Sequence, residues 1–109
     1  MSLLITKQID FVQDVAKLIG FIFKTRYFCT FGETFRTQEQ AKIFAKSGKG
    51  IKNSQHCKRL AIDLNLFSSE KKYLTKTSDY KFLGEYWESL REGNRWGGRF
   101  NDGNHFERV

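Results

Sequence analysis

A chain of 109 residues, 39% hydrophobic and 16% aromatic, has the material for one packed core and too little length for two, so residues 1–109 are read as a single domain. Its 11 Phe argue against disorder, and no apolar run approaches the roughly 18 residues of a membrane span. A net charge of +7 with a pI near 9.6 implies polyanionic surroundings (nucleic acid, anionic lipid or a carboxylate-rich bacterial wall) without choosing among them.

The start, Met1-Ser2-Leu3-Leu4-Ile5, has no basic segment leading into a continuous apolar stretch, so no signal peptide is expected. Ile5, Ile9, Val12, Ala16 and Ile19 recur at three- and four-residue steps, predicting an amphipathic helix over 3–19 that packs this stripe into the core and stops at Gly20. From Phe21 to Phe35 the chain is aromatic and β-rich, which predicts at least one strand. Thr37-x-x-Gln40 has the form of a capping box and opens a short helix to about Lys46, burying Ala41, Phe44 and Ala45. Ser47 to Gln55 is a Gly- and Lys-rich loop with no phosphate-binding fingerprint.

Asn53 to Phe67 organises the rest. It contains His56, one of only two histidines, and Asp63 inside an apolar alternation: Leu60, Ile62, Leu64 and Leu66 fall on one face, Ala61, Asp63 and Asn65 on the other. The second histidine lies in Asp102-Gly103-Asn104-His105-Phe106-Glu107. Two His and an Asp are a possible three-ligand set for zinc. Fully extended, the stretch from His56 to Asp63 spans roughly 21–24 Å, so one ion requires a bend, placed at Cys57-Lys58-Arg59 with the strand starting near Leu60. Taken alone, a histidine is more often structural than a metal ligand, and an Asp in a strand such as Asp63 can simply pair with a Lys or Arg. Cys29 and Cys57 make no disulfide framework; free thiols are the default, a single bridge and a Cys57 thiolate ligand the alternatives.

Beyond this strand, Ser68 to Lys72 is a turn returning through Tyr73-Leu74 as a hairpin. Ser78 or Asp79 caps a helix presenting Tyr80, Leu83, Trp87 and Leu90 that stops at Gly93. Arg95 to Phe100 leads into the Asp102/His105 turn and a last short strand. The fold class is α+β: a small, mainly antiparallel sheet with helices packed on it, Asp63 near its centre.

Ser54-x-His56-x4-Ala61-x-Asp63 followed by Asp102-x-x-His105-Phe106-Glu107 resembles the paired signature of the VanY-like zinc peptidases, which include D-alanyl-D-alanine carboxypeptidases and phage L-alanyl-D-glutamate endolysins. The likeness takes in Phe35-Arg36-Thr37-x-Glu39-Gln40 and Trp96-Gly97-Gly98, roughly residues 30–108, and is greatest to short phage-type members. Arg59 stands where many members carry Gly, and Arg99 where an acidic or amide residue is common. The resemblance implies one zinc per chain on His56, Asp63 and His105. It implies Asp102 as the catalytic base and Arg36 facing the scissile carbonyl, with Ser54 and Trp96 at the substrate and Glu107 orienting a histidine. The alternatives are an Asx turn for Asp102, a surface arginine for Arg36, a core ring for Trp96 and a solvated strand end for Glu107.

It further implies a monomer acting on peptidoglycan stem peptides, with no nucleic-acid partner and no stable membrane association. A phage or prophage lysis enzyme would be held in the host cytoplasm until a separate pore releases it to the wall. Lys46, Lys49, Lys52, Lys58 and Arg59 surround the organising stretch and are expected to steer a carboxylate-bearing substrate. Two other classes compete. One is a basic His/Asn metal nuclease using Asn65, Asn101 and Asn104, in whose chemistry the Ser-x-His-x4-Ala-x-Asp pattern has no part. The other is a non-catalytic basic binding module.

Overall fold

The computed structural model describes residues 2–48 and 54–109. Helix α1 (Leu3–Phe23) opens on Ser2, whose hydroxyl accepts the Ile5 N–H at 3.1 Å. Strand β1 (Phe28–Phe31) and helix α2 (Gln38–Lys46) follow, α2 capped as expected by Thr37, which accepts from the Gln40 N–H. A 3-10 turn (Gln55–Lys58) leads into strand β2 (Ala61–Phe67). A second 3-10 turn (Thr77–Tyr80) runs into helix α3 (Lys81–Leu90). Strand β3 (Asn94–Trp96), a third 3-10 turn (Gly97–Phe100) and strand β4 (His105–Arg108) complete the chain.

The four strands form an antiparallel sheet in the order β1-β2-β4-β3, so the fold is α+β and Asp63 lies on an inner strand. The alternation along β2 resolves its two faces. Leu60, Ile62, Leu64 and Leu66 are buried with Phe106 from β4, under Phe11, Leu18 and Ile22 of α1 and Leu83 and Trp87 of α3. Edge-on contacts of the Trp87 ring with Phe11 and Phe106 tie both helices to the sheet.

Three expectations about α1 and α2 are corrected. Helix α1 runs through Gly20 to Phe23, because Leu18 and Ile22, both fully buried, hold the turns on either side and outweigh the ~1 kcal/mol cost of a helical glycine. The stripe Ile5, Ile9, Val12 and Ala16 faces outward; Phe11, Asp14, Leu18 and Ile22 face the core. Two apolar stripes share this helix, and periodicity alone does not rank them. Buried Asp14 explains the choice: its carboxylate binds Arg91 through two hydrogen bonds and the Asn94 amide at 3.1 Å, fastening α1 to the end of α3 and the start of β3. In α2, Ala45 is exposed and only Ala41 is buried.

The expected hairpin return through Tyr73-Leu74 is reduced to one bridge, Phe67 to Tyr73. The Tyr80 hydroxyl donates to the Leu74 carbonyl at 2.8 Å and accepts the Leu66 N–H at 2.9 Å, so a side chain takes the β2 donor that a longer returning strand would pair. Asn94–Trp96 forms strand β3, where the sequence predicts only a lead-in to the Asp102/His105 turn. Asp79 accepts the Lys76 N–H at 3.2 Å and so closes the 3-10 turn ahead of α3 rather than capping α3 itself. Both cysteines are free. No helix among the described residues is long and apolar enough to cross a membrane.

Candidate metal centre

Asp63 and His105 are cross-strand partners in β2 and β4, so their side chains rise from one face of the sheet, opposite the core. His105 Nδ1 lies 3.0 Å from Asp63 Oδ1. The bend required between His56 and Asp63 exists: His56 sits in the 3-10 turn before β2, and the chain reverses through Arg59 in the left-handed region at φ 57°. That conformation suits glycine, the residue many members of the resembling family carry here. The Arg59 guanidinium lies over the Phe35 ring at 4.1 Å. The bend brings His56 Nε2 to 3.3 Å from the same Asp63 oxygen.

Each histidine is held by its other nitrogen. His56 Nδ1 donates to the Thr34 carbonyl at 2.8 Å, which fixes the ring and leaves Nε2, facing Asp63, as the nitrogen available to a metal. His105 Nε2 meets Glu107 Oε1 at 2.7 Å, and Arg95 holds the second Glu107 oxygen at 2.8 Å through Nε. With a proton on Nε2, His105 too presents a lone pair, from Nδ1. One ligand atom from each of His56, Asp63 and His105 lies within 4.8 Å of the others. Three acceptors facing one point fit a cation. A tetrahedral zinc with ligands at about 2.0–2.2 Å places them roughly 3.3 Å apart, close to the 3.3 and 3.0 Å that separate the two histidine nitrogens from Asp63 Oδ1. Cys57 lies outside this set, its sulfur toward the Thr37 carbonyl.

The electrostatics agree. Burial alone would raise the Asp63 pKa, but hydrogen bonds from both histidines hold it below the usual carboxylate range. Burial alone would lower that of His105, yet hydrogen bonds to Asp63 and Glu107 push it up to about 9. The pocket thus stabilises positive charge at the point where the three atoms meet.

Asp102 approaches from the turn before β4, its Oδ2 3.9 Å from His105 Nδ1, with a side chain 53% exposed to water. Partial burial raises its pKa, the nearby Asp63 carboxylate adding to this against the pull of His105. The turn is fixed by backbone: Asp102 N–H donates to Gly97 O at 2.8 Å and His105 N–H to Asp102 O at 3.1 Å. Only glycine fits at 97, since a Cβ there would stand 2.2 Å from Asp102 O and 2.7 Å from His105 Cβ.

A family model described as D-alanyl-D-alanine carboxypeptidase matches residues 46–108. The chain belongs to that family. The match spans the whole convergent set and Asp102, which accords with the family's peptidoglycan metallopeptidase chemistry and makes His56, Asp63 and His105 its candidate metal centre. Arg36 lies ahead of the matched span. No curated protein matches the chain.

Arg36 nonetheless joins the site. Its N–H donates to His56 O at 3.2 Å, its side chain is 12% exposed, and its guanidinium pairs with Glu33. Ser54 caps the 3-10 turn, its buried hydroxyl accepting the His56 N–H at 3.1 Å, so it positions the histidine. The Trp96 ring belongs to the core side rather than to an open cleft wall. It is 5% exposed, packs against Gly84 and Gly98, and donates Nε1–H to Gly103 O at 2.7 Å. Lys49 and Lys52 of the expected basic rim lie outside the described residues.

Glu33 is the site residue that the sequence did not announce. Its Oε1 lies 3.8 Å from His56 Nε2 and binds Arg36, while its carbonyl accepts the Asp63 N–H at 2.8 Å. No spacing rule marks it. It arrives because β1 continues its pairing through Gly32, whose N–H donates to Asp63 O at 2.7 Å and whose missing Cβ would stand 2.9 Å from that of Asp63.

Proposed function

We propose that this chain is a zinc-dependent peptidase of peptidoglycan stem peptides, cutting either the L-Ala–D-Glu bond or the terminal D-Ala bond, and serving as a phage or prophage lysis enzyme. The observation that supports it most is the convergence of His56 Nε2, His105 Nδ1 and Asp63 Oδ1, with both imidazoles oriented by hydrogen bonds from their far nitrogens. Zinc held by these three atoms would polarise the scissile carbonyl and make hydroxide available near neutral pH, lowering the pKa of water from 15.7 to about 7.

The remaining chemistry belongs to the chain. Asp102, open to water and raised in pKa, takes the proton of the attacking water and returns it to the leaving amine. Arg36 supplies guanidinium donors for the carbonyl oxygen as it gains negative charge. Ser54, Thr34 and Glu107 hold the histidines in register, so little reorganisation accompanies the reaction. The nuclease alternative loses two of its three asparagines to structural bonds: Asn104 Nδ2 donates to Asn65 Oδ1 at 3.1 Å.

Metal content and digestion of purified peptidoglycan beside plasmid DNA test this reading. One zinc per chain, chelator-sensitive release of stem-peptide fragments and intact plasmid are expected. Full peptidoglycan cleavage after exhaustive metal removal would overturn it, and mass spectrometry of the fragments identifies the bond.

A further inference from the structure

The face of the sheet that carries the metal centre continues past it in rows set by strand register. Asp63 and His105 make the first row. Two residues on, Thr30 of β1 is the partner of Asn65 in β2. Two further on, Phe28 is the partner of Phe67, which Tyr73 bridges from its other side. Paired residues point to one side of a sheet and alternate residues share a face, so all three rows lie opposite the core. The last row is wholly aromatic and open to water. Phe28 is 46% and Tyr73 52% exposed, and the Tyr73 ring lies 5.3 Å from that of Phe67. The middle row is polar and only partly paired. Asn65 Oδ1 accepts from Asn104 Nδ2 at 3.1 Å and from the Tyr73 hydroxyl at 3.4 Å, whereas Asn65 Nδ2 and the Thr30 hydroxyl have no partner among the described residues. Neither row takes part in the metal centre.

We propose that these two rows form a saccharide subsite, which holds the N-acetylated amino sugar bearing the stem peptide while the scissile bond lies at the metal centre. The proposal rests on the peptidase reading and deepens it, for either of the two bonds. Asp63 and Phe67 are four strand residues apart, roughly 13 Å. About four extended residues of stem cover that distance, and a shorter link puts the sugar first over Thr30 and Asn65. A pyranose suits both rows at once. Its C–H groups carry slight positive charge and stack on the electron-rich faces of aromatic rings. Its hydroxyls and acetamido group need hydrogen-bonding partners, which the Thr30 hydroxyl and the Asn65 amide supply. A purely apolar occupant would instead cover those two groups and leave them unpaired, at a cost for each.

The test uses a muropeptide and the same stem peptide with an acetyl group in place of the sugar. Steady-state kcat and KM are measured on zinc-loaded wild type, Phe28→Ala, Tyr73→Ala and Tyr73→Phe. The wild type should favour the muropeptide roughly tenfold in kcat/KM, mainly through KM, the effect of one or two stacked rings. Phe28→Ala and Tyr73→Ala should bring that ratio toward one, whereas Tyr73→Phe, which keeps the ring, should preserve most of it. On metal-free wild type, where no hydrolysis intervenes, the muropeptide should shift the NMR amide signals of residues 28–30, 65–67 and 73, and the acetylated peptide should shift them less. Equal kcat/KM for the two substrates, or a preference that both alanine variants leave unmoved, overturns the subsite alone. So does an equal loss on both substrates, which would mean that the rings grip the peptide or only pack the sheet. Neither hydrolysis nor binding of either substrate by the wild type overturns the peptidase reading, and this one with it.

Discussion

Glu107 fixes the tautomer of His105 from two residues along the same face of β4, its Oε1 2.7 Å from Nε2 while Nδ1 lies 3.0 Å from Asp63. Arg95 in turn holds Glu107, so the orientation of one candidate ligand depends on a chain from Arg95 through Glu107 and His105 to Asp63 that crosses three strands. Glu107→Gln keeps the size but can present its amide N–H to the ring, favouring the wrong tautomer. Zinc affinity should fall about 10–100-fold, the usual effect of losing such a partner, with the fold retained. Competition with a chromophoric chelator measures this, and unchanged affinity would mean that Glu107 only packs.

Ligand and base should separate on mutation. His105→Ala removes a donor atom and is expected to abolish stoichiometric zinc. Asp102→Asn keeps the turn and the metal but cannot take a proton, so hydrolysis should drop by roughly 10²–10⁴-fold. Arg36→Ala should also keep zinc and slow turnover by roughly 10²–10³-fold. Zinc content and single-turnover rates on one stem peptide decide all three. Zinc loss in Asp102→Asn would make Asp102 a ligand.

The acid–base behaviour follows from the same residues. Without metal, burial opposes the charge on His105, but Asp63 and Glu107 push its pKa up from 6.5 to about 9. A raised folded-state pKa gives stabilisation that is complete below the unfolded value and lost as pH climbs through about 9. Asp63 and Glu107 are held low despite burial, so their contribution is present above the ordinary carboxylate range and lost as pH falls through their depressed values. Metal-free stability should therefore be greatest between that range and pH 6.5, declining toward 9. Zinc must displace the His105 proton. Its affinity should rise about tenfold per pH unit between these two values, with about one proton released per ion. Calorimetry in buffers of different ionisation enthalpy counts that proton, and none released near neutral pH would contradict the assignment.

Gly97→Ala tests whether the third 3-10 turn serves the site. The new Cβ would meet the backbone oxygen of Asp102 and the Cβ of His105, neither of which can rotate away. The Asp102–His105 turn should shift, with zinc binding and turnover falling together while the helical signal of α1 and α3 persists. Wild-type zinc affinity in this variant would show that the turn adapts.

The sequence by itself determined the local chemistry. The alternation from Leu60 to Leu66 fixed which face of β2 is core, because successive strand residues point to opposite sides whatever lies around them. Thr37 and Gln40 set the start of α2, and the distance from His56 to Asp63 demanded the bend that Arg59 makes. The spacing of Asp102 and His105 placed both on one turn. Tertiary structure alone decided which stripe of α1 is buried, since both stripes have helical period and only Asp14, reaching Arg91 and Asn94 some 77 and 80 residues away, distinguishes them. It decided that Trp96 supports the core and that Glu33 stands beside Arg36 and His56. Such relationships depend on strand order and register. Hydrogen bonds between distant backbones set these, so no spacing within the chain records them.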